Sequence, residues 1–131
     1  MDRTSPAANP IALAESRLRW LDRRQEVLAR NISHADTPGY RARDLAPFAQ
    51  HLQRASSPAG LLRTDPAHLV STRGAPGSRP APAEEVSPDG NGVSLDEQAI
   101  KVADTDSAHA VAMGLHRRWV GMYRTALGRN G

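Results

Sequence analysis

Apolar residues recur at spacings of three and four in two long stretches, one near each end of the chain. In the first, Ile11, Ala14, Leu18, Leu21, Gln25, Leu28, Ile32 and Ala35 follow one another as a heptad seam. That period belongs to a coiled-coil-like helix with one face on a partner. Asn9 is a good N-cap and Pro10 suits the first helical position, so the pattern predicts a helix over 9–36. Glu15 with Arg19, and Glu26 with Arg30, are i,i+4 pairs in the favourable order on its outer surface. Trp20 and Val27 lie off the seam and are expected either to pack only in part or to form a second interface.

The second long stretch opens with Ser94-Leu95-Asp96-Glu97, a capping box in which Ser94 is the N-cap. It predicts a helix over 94–128, roughly 50 Å long at the usual rise per residue. Its seam reads Ala99, Val102, Asp106, His109, Met113, His116, Val120, Tyr123 and Leu127. Beside it run Ala108, Ala112, Leu115, Trp119, Met122 and Ala126, so the apolar face is wider than one partner helix requires. Gly114, Gly121 and Gly128 fall seven apart on another side. An interior glycine costs about 1 kcal/mol relative to alanine, so a close backbone approach or help from an assembly is expected there.

Between the helices the pattern breaks. Pro38 fixes its own φ and Gly39 can take φ > 0, so Thr37-Pro38-Gly39-Tyr40 reads as a type II turn with Tyr40 as an apolar anchor. Asp36 and Thr37 can hold loose backbone groups through their side-chain oxygens. Asp44 is expected to cap a short helix with Pro47 in its first turn and Leu45, Phe48, Ala49 and Leu52 on its apolar side, completing a unit over 37–54. Residues 55–93 turn to Pro, Gly, Ser and Ala and read as a flexible, partly polyproline linker, with the turn cluster Pro88-Asp89-Gly90-Asn91-Gly92 at its end. Residues 1–8 read as disordered. The expected fold is all-α, with two long terminal amphipathic helices packed coiled-coil-like, a short helix and the linker between them.

Composition narrows the function classes. In 131 residues there is room for one small domain, and only 4% of them are aromatic, which argues against a thick core. There is no cysteine, hence no disulfide, thiolate metal site or cysteine nucleophile. No apolar run approaches the ~18 residues of a membrane span, and no cleavable signal peptide is expected. The net charge of +3 comes almost wholly from arginine, with Lys101 the only lysine. The arginines are scattered rather than blocked, which favours a solvated surface over a nucleic-acid footprint.

Candidate chemistry is sparse. Ser33, His34 and Asp36 are too close along a helix end to converge as a triad. Asp106, His109 and His116 share a face, but a His spacing of seven does not suit a metal. Asp106 and His109 are expected instead to hydrogen-bond within or between the helices and help set register. No catalytic, cofactor or metal site is expected, and the chain reads as a non-enzyme.

The stretch Asn31-Ile32-Ser33-His34-Ala35-Asp36-Thr37-Pro38-Gly39-Tyr40 resembles the N-terminal signature of the flagellar basal-body rod and hook proteins. Asp36 before the turn, and Arg41-Ala42-Arg43-Asp44 after it, are most similar to proximal-rod members of the flagellar basal-body rod protein family. Thr64-Asp65-Pro66-Ala67-His68-Leu69, the entry Asp89 to Glu97 and the ending Met122 to Gly128 are similar to segments of the same proteins. Ser33, His34 and Thr105 depart from the residues usual there. The resemblance implies a structural subunit of the proximal rod that is exported by the flagellar type III apparatus and assembles with its own kind, other rod proteins and a basal-body adaptor. It implies that Asn31, Ile32, Asp36, Thr37, Pro38, Gly39 and Tyr40 form a turn on which neighbours pack. The helix-pair and assembly contacts would be Ile11, Leu18, Leu21, Leu28, Val102, Met113, Leu115, Val120, Tyr123 and Leu127. The runner-up reading is a small helical adaptor or a nucleic-acid-associated basic protein.

Overall fold

Asn9 begins the first helix as a true cap: its side-chain oxygen accepts from the N–H groups of Ile11 and Ala12, and Pro10 follows at the first helical position. The computed structural model describes residues 9–56, 78–80 and 88–128. Helix α1 (Pro10–Ser33) leads through a turn to strand β1 (Arg43–Leu45) and helix α2 (Phe48–Ser56). Strand β2 (Ser78–Pro80) and the long helix α3 (Leu95–Ala126) complete the chain. The expected disordered N-terminus, and most of the expected linker with its Thr64-to-Leu69 segment, lie outside the described residues.

Most of the described chain is helical, and α1 and α3 run antiparallel. Four polar links fix the register: Asn31 to Gln98, Gln25 to Asp106, Asp22 to His109 and Glu15 to His116. Moving down α1 moves up α3 at the same pace, so α3 runs on past the start of α1 by its last turn.

α3 starts at Ser94, whose Oγ accepts from Glu97 N–H at 3.3 Å. Only this half of the capping box forms, because the Glu97 carboxylate turns to Lys101 at 2.8 Å. Asp44 does not cap α2. It sits in β1 with its carboxylate on Arg24, and α2 begins after Pro47, whose carbonyl receives Gln50 and His51 N–H. The pairing of Arg43 with Pro80 and of Leu45 with Ser78 is antiparallel β-structure, which the linker composition did not predict. Pro80 has no N–H to donate, which suits a short edge strand.

The core is thin. Its buried apolar residues are Trp20, Leu21, Val27, Leu28, Ala42, Leu45 and Ala112, with Leu18, Phe48 and Ala108 packed beside them. Trp20 and Val27, expected to pack only in part or to form a second interface, are therefore buried. Ile32, expected in the helix pair, is 41% exposed, because the last turn of α1 directs Asn31 inward instead. On α3 the buried line is Gln98, Thr105 and Ala112, seven apart. Small or polar side chains thus occupy the centre of the contact, while Val102, Met113 and Val120 are half-buried at its edges. Leu115, Tyr123 and Leu127 are exposed in the single chain. At Gly114 and Gly121 an added Cβ would meet nothing within 4 Å, so among the described residues no backbone of another element approaches there.

Leu28→Ala should destabilise the chain by about 2–5 kcal/mol, as a fully buried leucine does when truncated. Leu127→Ala should stay within about 0.5 kcal/mol of the parent. Urea unfolding followed by circular dichroism separates the two.

Candidate functional site

α1 carries a second inward face besides the one on α3. Trp20, Arg24, Val27 and Asn31 recur at spacings of four, three and four, and Trp20, Arg24 and Asn31 meet the segment after the turn in reverse order. Trp20 Nε1 donates to Ala46 O at 3.1 Å. Arg24 grips Asp44 with two hydrogen bonds of 3.0 and 2.9 Å. The Arg17 guanidinium lies over the rings of Trp20 and Phe48, closing the edge of this contact. Asn31 holds both backbone groups of Arg43, donating to its carbonyl at 2.7 Å and accepting its N–H at 2.9 Å.

Asn31 is wholly buried, and its other contacts reach two further elements. Its oxygen also accepts from the Tyr40 hydroxyl at 3.3 Å, and its nitrogen donates to Gln98 Oε1 at 2.9 Å. One carboxamide thereby joins α1, the turn, β1 and α3. Thr105, buried on the same line of α3 as Gln98, satisfies its hydroxyl on Lys101 O at 2.7 Å.

The predicted turn forms, with Tyr40 N–H on Thr37 O at 3.2 Å and Gly39 at φ +74°. A second turn locks onto it. Asn91, almost fully buried, donates to the carbonyls of His34 (3.0 Å) and Thr37 (2.6 Å) and accepts from Val93 N–H. Gly39 N–H reaches Asp89 O at 3.1 Å, and Gly92 N–H reaches Tyr40 O at 2.8 Å. Gly90, at φ +81°, lies close enough that a Cβ would sit 3.5 Å from Gly39 Cα. The cluster read as the end of a linker is therefore half of the site. The dipeptide signals of Gly90 and Gly92 marked a turn, but nothing local in the sequence named its partner more than fifty residues away.

Ser33, His34 and Asp36 serve different partners. Ser33 Oγ donates to Arg30 O, the His34 ring stacks on Tyr40 with its Nδ1 3.1 Å from Thr37 Oγ1, and Asp36 is exposed. Asp106 pairs with Gln25, while His109 and His116 face Asp22 and Glu15 at 3.3 and 3.4 Å. These three links cross from α3 to α1 and act on register. Among the described residues no three His, Asp or Glu side chains converge as metal ligands would.

Asp44 is the electrostatic centre of the site. Burial alone would raise its carboxyl, but the hydrogen bonds and charge of Arg24, the Leu45 N–H and the nearby Lys101 hold it below its ordinary value. A carboxyl lowered on folding contributes stability that is present above its unfolded value of about 3.9 and is lost as pH falls through the folded value. The stability gap between the parent and Asp44→Asn should therefore be constant above about pH 5 and shrink below pH ~4, as read by urea titrations across that range. Asn31→Leu should cost about 2–3 kcal/mol, because it strands the Arg43 backbone and the Gln98 oxygen without partners. Amide hydrogen exchange should quicken at Arg43 in that variant.

No family model matches the chain. Individual proteins do. The flagellar basal body rod protein FlgB of Agrobacterium fabrum is 33% identical over 112 residues, which cover 79% of this chain and 81% of the relative. FlgB of Cereibacter sphaeroides is 30% identical over 106 residues, covering 79% and 82%. FlgB of Escherichia coli is 34% identical over 100 residues, covering 69% and 72%. With the signature turn in place and long helices on either side of it, these likenesses extend over most of both chains, and the protein belongs to the FlgB family of flagellar basal body rod proteins.

Proposed function

We propose that this chain is a structural subunit of the proximal rod of the bacterial flagellar basal body, and that it works by packing rather than by catalysis. Membership of the FlgB family supports the reading, and one observation gives it a physical form. α3 outruns α1, so the face that α1 covers lower down continues uncovered at its end. Tyr123 stands seven residues beyond His116, which meets Glu15, and it is 49% exposed; Leu127 is 73% exposed. At the opposite end of the helix pair, Ile32 and Leu95 are exposed as well. Apolar ends on an elongated unit invite head-to-tail contacts with like subunits and with other rod proteins. Contacts of that heterologous kind do not close, and they build a helical tube.

Torque would then pass along packed helices whose register is set by the four polar links. The interlocked turns would present a rigid surface to a neighbouring rod protein or basal-body adaptor. Export through the flagellar type III apparatus fits a unit with so thin a core, since little buried apolar area has to be exposed for it to pass in extended form. No helix among the described residues is long and apolar enough to cross a membrane.

Mass spectrometry of purified hook–basal bodies should find this chain, and a deletion strain should make no rod. Rods formed normally without it would end this reading. Tyr123→Asp combined with Leu127→Asp should abolish swimming while leaving the stability of the free chain within about 0.5 kcal/mol, since neither side chain is buried in one copy.

A further inference from the structure

The outward side of α3, away from α1, carries a second apolar stripe. Ile100 and Val111 are each 64% exposed, Leu115 50% and Met122 54%. Asp104 and Arg118 lie in the same stripe, both exposed, and neither has an ion-pair partner among the described residues. Ile100 and Val111, then Val111 and Met122, are eleven residues apart. An eleven-residue period keeps a stripe almost parallel to the axis of an α-helix, so all six residues stay on one side over two such repeats.

Leu115 aside, the stripe is arranged symmetrically about Val111. Ile100 lies eleven residues before it and Met122 eleven after; Asp104 lies seven before and Arg118 seven after. A second α3 laid antiparallel, with the two-fold axis at Val111, brings Ile100 onto Met122, Val111 onto Val111 and each Asp104 onto Arg118 of the other copy. A parallel pair in register would set Asp104 against Asp104 and Arg118 against Arg118, and like charges at such range oppose association. The whole helix has the same polarity. Its first part holds Asp96, Glu97, Asp104 and Asp106 against Lys101, and no acidic residue follows Asp106.

We propose that the unassembled chain pairs with a second copy of itself through the outward face of α3, antiparallel and two-fold about Val111, with Asp104 of each copy on Arg118 of the other. Such a contact is isologous and closed: it satisfies the face it uses and offers no edge for growth. A rod built of head-to-tail contacts has all its subunits pointing one way, so the two-fold pair is a resting form that separates before assembly. It covers an apolar face that would otherwise stand open to non-specific association. The pair requires only the α1–α3 unit and does not depend on the rod reading.

The chain has no cysteine of its own, so single cysteines report its neighbours cleanly. Under mild oxidation, full-length Val111→Cys should cross-link to itself. Ile100→Cys and Met122→Cys should each stay single alone and cross-link when mixed. Sedimentation of the parent chain from roughly 1 µM to 1 mM should show a reversible species of about twice its 14.1 kDa. Asp104→Arg should weaken the pair about tenfold, because two like-charge contacts replace two ion pairs, and adding Arg118→Asp should restore it. All five positions are exposed, and circular dichroism should show unchanged helix content. A parent chain that stays monomeric across that range, or Ile100→Cys cross-linking to itself, overturns the two-fold antiparallel pair. Either result leaves the basal-body test of the rod reading unaffected, and a chain missing from basal bodies leaves the pairing test unaffected in turn.

Discussion

The buried carboxamide of Asn31 is the constraint on which the rest of the described structure depends. An apolar side chain at that place could contribute area but no direction. Asn31 offers two donors and two acceptor sites, and each is used by a different neighbour or a different backbone group of one neighbour. Shifting any of the three elements around it by one residue would leave buried polar groups unpaired at about 1–3 kcal/mol each. The thin core cannot enforce register by volume alone. Of its five largest fully buried side chains, three are polar: Asn31, Gln98 and Thr105. Directional bonds therefore do the specifying that jigsaw packing does in larger domains.

The same logic extends outward from Asn31. Tyr40, held by the Asn31 oxygen, stacks on His34, whose carbonyl is held by Asn91. Asn91 also takes the carbonyl of Thr37, so the two turns cannot open separately. Helix ends leave carbonyls without partners, and here a side chain from across the chain supplies the donor that local capping would otherwise provide. The signature turn is thus rigid because of residues that follow it by more than fifty positions.

Much of this was legible in the sequence, and the failures are instructive. Caps at Asn9 and Ser94, the Pro38-Gly39 turn and the three-and-four spacing of α1 each carry their own local cause, and each element formed. The second face of α1 was also written there, as the four-three-four spacing of Trp20, Arg24, Val27 and Asn31, but a seam defined by apolar residues passes over one made half of polar groups. Ile32 was expected inside because it is apolar, whereas the inward position belonged to its polar neighbour. Asp44 looked like a cap because Pro47 follows, and the half-buried guanidinium of Arg24 claimed it instead. Residues 78–80 and 88–93 were read as linker from composition, which reports what a segment can do alone and is blind to a distant partner.

α3 shows most plainly why periodicity alone could not settle what this helix does. Its inward line is Gln98, Thr105 and Ala112, and its outward stripe holds Ile100, Val111, Leu115 and Met122. The helix is thus about as apolar on its outward side as on its inward one. Two requirements explain the arrangement. Toward α1, small and polar side chains fix register in a contact that is already present in one copy. Away from α1, larger apolar side chains contribute free energy only when another molecule covers them, at roughly 25 cal/mol per Å² of apolar surface removed from water. In the proposed pairing, folding and pairing would use opposite sides of one helix. The modest internal core sets the shape, and the outward apolar side chains would add to stability only when a second molecule covers them.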